Sequence, residues 1–137
     1  MTWQYKQLLP SYNPMKILLA IGTGSFVGGL LRYAVSQAVQ GRSLGLFPYG
    51  TLTVNLVGCF LIGMVYALSE RGVVGESWRL FLATGVLGGF TTFSAFSQET
   101  VRLLQQGLVL NALTYVLISV VAGLMATYCG MLVIRYV

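Results

Sequence analysis

The chain predicts an all-α membrane protein with four transmembrane helices, the third of them broken mid-membrane. Three observations carry that expectation. Hydrophobic residues make up 56% of the sequence and charged residues only 8%, whereas about a quarter of a soluble domain is charged. The apolar residues fall into four runs, each able to cross a hydrocarbon core that takes about 20 helical residues. Finally, the third run is interrupted by Gly85-Val-Leu-Gly88-Gly89-Phe-Thr91-Thr92-Phe93-Ser94-Ala-Phe96-Ser97. Three glycines and two adjacent threonines make a poor helix. Non-helical backbone at membrane depth is tolerated only where protein buries it or where it lines a water-filled cavity. That stretch is therefore the place around which the other spans are expected to be arranged.

Residues 1–14 hold Trp3, Tyr5, Lys6, Pro10 and Pro14 and read as an interfacial lead, with aromatics and a lysine at headgroup level. No small-residue cleavage site closes the apolar run that follows, so a cleaved signal peptide is not expected. Residues 15–137 form the membrane domain. The first span runs from Met15 to about Val39 and contains the small-xxx-small pairs Gly24/Gly28 and Ser25/Gly29, which let helix backbones approach closely. Arg32 falls where this span should be ending. Gln40–Tyr49 is a loop by its Gly41, Gly45 and Pro48. A second span opens at Gly50 and lasts to about Ser69, and a charged turn, Glu70–Ser77, leads to a third span from Trp78 to about Gln106. Leu108 to Ile134 carries no charge and supplies the fourth.

Composition removes whole classes of function. The 137 residues are one domain's worth, with mean hydropathy +0.80. The acidic residues are three glutamates, Glu70, Glu76 and Glu99, and there is neither aspartate nor histidine. Histidine metal sites, Ser/His/Asp triads and the usual carboxylate pairs are thereby excluded, and an enzyme is not expected. Cys59 and Cys129 sit in apolar runs as small hydrophobes. The net charge of +5 is dispersed, which gives no reason to expect nucleic acid as a partner. With four spans, one side of the membrane carries Lys6, Lys16, Arg71, Arg79 and Arg135, and the other carries Arg32, Arg42 and Arg102. Five against three is a weak orienting bias, compatible with insertion in both directions.

The polar residues at depth share a chemical theme. Asn55 and Thr51 lie one turn apart on the second span. Tyr115, Ser119, Gly123 and Thr127 recur at intervals of four along the fourth, while Phe93 and Phe96 are neighbours on one face of the third. Each has an ordinary structural reading: an amide bridging helices, hydroxyls bonded back to their own helix, phenyl rings packing in lipid. Together they offer N–H donors, O–H donors and the partially positive edges of aromatic rings. A path lined in this way could replace the water shell of a small anion without holding it against a full positive charge.

The chain resembles the small bacterial fluoride channels, the Fluc or CrcB family. The likeness rests on Gly88-Gly89-Phe-Thr-Thr92-Phe93-Ser94-Ala-Phe96-Ser97-Gln-Glu99, on Gly50-Thr51-Leu-Thr-Val-Asn55-Leu-Val-Gly58 and on Gly28-Gly29-Leu-Leu-Arg32-Tyr33. It extends over essentially all of residues 15–137. The resemblance implies an antiparallel, dual-topology homodimer, multi-pass in the bacterial inner (plasma) membrane, that passively exports cytoplasmic fluoride through two pores. It implies a central structural Na+ held by the backbone carbonyls of Gly88 and Thr91. It assigns Phe93 and Phe96 to ring edges facing the anion and Asn55 to a fluoride hydrogen bond. Ser94, Tyr115, Ser119 and Thr127 would line a polar track, with Gly123 where the family more often has serine. Arg32 and Glu99 would lie at the aqueous vestibules. The competing expectation is a small multidrug-resistance-type transporter. That mechanism needs a carboxylate in the first span, and Met15–Leu31 contains none.

Overall fold

The computed structural model describes residues 13–43 and 45–136, and among them the architecture is all helical. Helix α1 (Pro14–Gln40) begins where Asn13 Oδ1 accepts the backbone N–H of Met15 at 3.1 Å, with Pro14 in the first turn where its missing N–H costs nothing. Of the expected N-terminal lead, residues 1–12 lie outside the described residues. Helix α2 (Tyr49–Glu70) has no cap from its own Pro48. Gln40 serves instead: its Oε1 accepts from Gly50 N at 3.1 Å while its Nε2 donates to Phe47 O at 3.2 Å. One side chain thus closes the loop between α1 and α2.

After a turn in which Gly72 adopts φ +72°, the third span covers Glu76–Gln105. It consists of α3 (Glu76–Arg79), a π-helical segment (Leu80–Leu87), α4 (Gly88–Phe90) and α5 (Phe93–Gln105). Gly107, at φ +75°, turns the chain into α6 (Val109–Tyr136). Four helical stretches are long and apolar enough to cross a membrane, and the observed limits differ from the expected ones by one or two residues.

The glycine-rich stretch differs from expectation in an instructive way. Gly85, Gly88 and Gly89 remain helical, and the backbone becomes extended only at Thr91 (φ −82°, ψ 159°) and Thr92 (φ −151°, ψ 117°). Gly85 and Gly89 serve close packing against α1. A Cβ on Gly24 would stand 2.9 Å from Phe81 O and 3.0 Å from Gly85 Cα. One on Gly28 would strike Val86 O, and one on Gly89 would strike Ser25 O. Ser25 Oγ also donates to Gly85 O at 3.3 Å. The same device joins α2 to α6, where Gly63 abuts Thr127 O and Gly130 abuts Phe60 O. Between helices in lipid, van der Waals contact replaces the hydrophobic drive, so backbone proximity is what such pairs supply.

Tyr115, fully buried, anchors the small core with Ala112 and Leu103, packed by Phe47, Leu52, Phe96 and Leu108. Most other large apolar side chains point outward, Phe26, Leu18 and Leu124 among them, as expected of helices whose solvent is hydrocarbon.

Candidate functional site

The centre of the site is the two-residue extended linker. Thr92 N–H donates to Asn55 Oδ1 at 2.8 Å, and Asn55 Nδ2 donates to Thr92 O at 3.1 Å. The α2 amide therefore holds the linker by both of its backbone groups. Thr92 Oγ1 then accepts the N–H of Ala95 at 3.2 Å and caps α5. Two carbonyls lose their helical donors as a result. Thr92 N, which would bond Gly88 O in a continuous α-helix, is held by Asn55, and Ala95 N, the equivalent donor for Thr91 O, is held by Thr92 Oγ1. Gly58 lets α2 approach this point, since a Cβ there would collide with Thr91 Cγ2.

Two recesses flank the linker, and Thr92 lines both. The first, about 420 Å³, gathers Asn55, Gly88, Thr91, Phe93, Phe96 and Ser119. No charged side chain of the described residues lines it. The Phe93 and Phe96 rings lie 5.6 Å apart, tilted by 44°, and Phe93 is 78% exposed. Ser119 Oγ is buried and has no hydrogen-bond partner, so a hydroxyl that normally must be satisfied is left with unused donor capacity. The second recess, about 480 Å³, is more polar than the first, with Arg32, Tyr33, Ser94, Gln98 and Glu99 on its wall. Ser94 Oγ is 3.2 Å from Thr92 Oγ1.

Glu99 stands behind this second recess in an unforeseen arrangement. Thr51 Oγ1 donates to its Oε1 and Tyr115 O–H to its Oε2, each at 2.7 Å. Thr51 and Asn55, one turn apart on α2, thus fasten two points of the third span, Asn55 the linker itself and Thr51 a point beyond it on α5. The expected polar stripe on α6 divides accordingly. Tyr115 belongs with Glu99, and Ser119 with the apolar recess. Thr127 lines neither: its hydroxyl bonds back to Gly123 O at 3.1 Å, within the α2–α6 contact. Gly123 faces Cys59, whose Sγ would lie 3.5 Å from an added Cβ.

Thr92 and the Glu99 pairing were the residues that reading the sequence missed. The adjacent threonines hinted at the first, as the residue type that caps a restarting helix, whereas nothing local pairs positions 51 and 99. No group of three His, Cys, Asp or Glu comes together among the described residues.

Four apolar helices, one of them interrupted beside a recess of neutral donors and aromatic rings, define a small multi-pass membrane protein. The chain belongs to the CrcB-like protein family, Camphor Resistance (CrcB), which matches residues 19–131. It is 50% identical over 116 residues to the fluoride-specific ion channel FluC of Thermus thermophilus, covering 85% of this chain and 93% of that one. It is 42% identical over 116 residues to the FluC of Phocaeicola vulgatus, covering 85% and 96%. To that of Leptospira interrogans it is 44% identical over 125 residues, covering 90% and 98%. The resemblance seen in the motifs is thus borne out, and the relatives are named as channels, not enzymes.

Proposed function

We propose that this protein is a fluoride channel that lets the anion leave the cytoplasm passively through a bacterial plasma membrane. The observation that carries this reading is the uncharged recess beside the linker. There Asn55, two phenyl rings and the unpartnered Ser119 hydroxyl converge. Asn55 Nδ2 bears two hydrogens and gives one to Thr92 O, which leaves the second for an anion. Fluoride shedding water here would meet that N–H, the Ser119 O–H and the positive ring edges of Phe93 and Phe96. None of these carries a full charge, so an ion is received without being trapped. Arg32, Ser94 and Glu99 belong to the aqueous mouth, with Tyr115 as the hydroxyl behind it. Thr127 has no evident part in the path.

Two copies, antiparallel in the membrane, would complete two such pores. The exposed face of Phe93, the open side of the recess and the weak charge bias all favour a partner of this kind. A Na+ on the two-fold axis suits the carbonyls of Gly88 and Thr91, whose helical donors are engaged elsewhere. Bound there, it would supply a fixed positive charge that offsets the carbonyl dipoles in a dry interior. The test is fluoride efflux from liposomes containing purified protein, read with a fluoride-selective electrode, with chloride as the control. Release of fluoride and not chloride is expected; equal release of both, or of neither, refutes the reading.

A further inference from the structure

The end formed by the C-termini of α1 and α5 and the N-terminus of α2 carries Arg32, Arg42 and Arg102 against one acid, Glu99. Among the described residues the opposite end sets Lys16, Arg71, Arg79 and Arg135 against Glu70 and Glu76, so the excess of cations is the same at both, and there Glu76 pairs with Arg79 at 3.7 Å. A further recess of about 330 Å³ opens at the first end, with Gln40, Arg102 and Gln106 on its wall. It shares Ser36, Gln37, Thr51 and Glu99 with the recess that holds Arg32. The two therefore meet at Glu99, with an arginine on each. Both Glu99 oxygens already accept hydroxyl hydrogen bonds. Among the described residues neither Arg32 nor Arg102 forms an ion pair.

We infer that the Arg102 recess is a second collecting arm for a small inorganic anion, delivering it to the junction at Glu99 alongside the Arg32 arm. The inference rests on the channel reading and adds a residue to it. A cationic side chain on the wall of a low-dielectric cleft raises the local concentration of anions there, and the charge of Glu99, common to both recesses, is unchanged by a substitution at position 102. A unit charge about 10 Å away in water changes that concentration roughly twofold. Arg102 acts at a distance and holds no anion in the narrow path, so its effect is on delivery and is screened by salt. The competing role, a cation complementing the carbonyls at the end of α5, predicts a change in thermal stability without a salt-dependent flux.

Fluoride efflux from liposomes is measured for the native chain, Arg102→Gln and Arg102→Lys at ionic strengths of about 0.01 M and 1 M, set with an impermeant salt. The Debye length is then about 30 Å and about 3 Å respectively. The expected native-to-Arg102→Gln flux ratio is about two at low salt and about one at high salt, with Arg102→Lys close to native at both. A ratio of one at low salt, an equal ratio at both salts, or Arg102→Lys behaving like Arg102→Gln overturns the inference while leaving the channel intact. Native protein that passes no fluoride overturns the channel reading itself, and the collecting role with it.

Discussion

Replacing Asn55 by alanine removes both ends of the clamp on Thr92. The structure lets the loss be sized. Two hydrogen bonds disappear, 2.8 and 3.1 Å long, and a partly buried backbone N–H and C=O are left without partners. Each such group costs about 1–3 kcal/mol when unsatisfied, and partial burial favours the lower half of that range, for a total of about 2–4 kcal/mol. Thr92 N–H would also be free to return to Gly88 O, extending α4 and withdrawing that carbonyl from any cation. Asn55→Asp separates the two contributions. It keeps the acceptor for Thr92 N–H, sets oxygen against Thr92 O, and places a negative charge in the anion path. Thermal unfolding in detergent and fluoride efflux from liposomes are the paired assays. Asn55→Ala should melt several degrees below the native protein and lose most of its flux, and Asn55→Asp should lose flux at least as completely. An alanine variant with native melting and native flux would refute the clamp, and undiminished efflux in the aspartate variant would remove Asn55 from the path.

Phe93→Ile or Phe96→Ile should cut fluoride throughput several-fold while leaving assembly, read by size-exclusion chromatography, unchanged; normal flux in both would reduce the rings to packing. Gly28→Ala should lower the melting temperature, because its methyl would be driven into Val86 O. Gly29→Ala should not, since nothing lies within 4 Å of its position. Tagged C-termini should be found on both sides of the membrane by accessibility labelling, and a single orientation would rule out the antiparallel pair.

The helices and their limits were legible because the bilayer imposes a length and a polarity that composition alone reveals. The residues of the recess were legible as types out of place in an apolar span: Asn55, Ser119 and a run of Phe, Thr and Ser. What could not be read was which of the unusual residues interrupts the third helix. Glycines lower helix propensity wherever they occur, but here close contact with Ile21, Gly24 and Ser25 of α1 holds Gly85 and Gly89 helical. The interruption falls instead at Thr91 and Thr92, where Asn55, 37 positions away from Thr92, offers the backbone a better partner than its own helix.

By itself, then, the sequence determined four apolar spans, the exclusion of acid–base and metal-cluster chemistry, and a third span that had to contain something other than a plain helix. Only the tertiary structure decided that Glu99 is held by Thr51 and Tyr115, that Thr127 bonds back to its own helix beside α2, and that Ser119 keeps a buried, unmatched hydroxyl. Burial, length and periodicity are properties of a segment and survive in its composition. The pairing of a hydrogen-bond donor with its acceptor depends on which backbones approach closely enough to bring them within about 3 Å, and that is set by glycines on one helix meeting carbonyls on another.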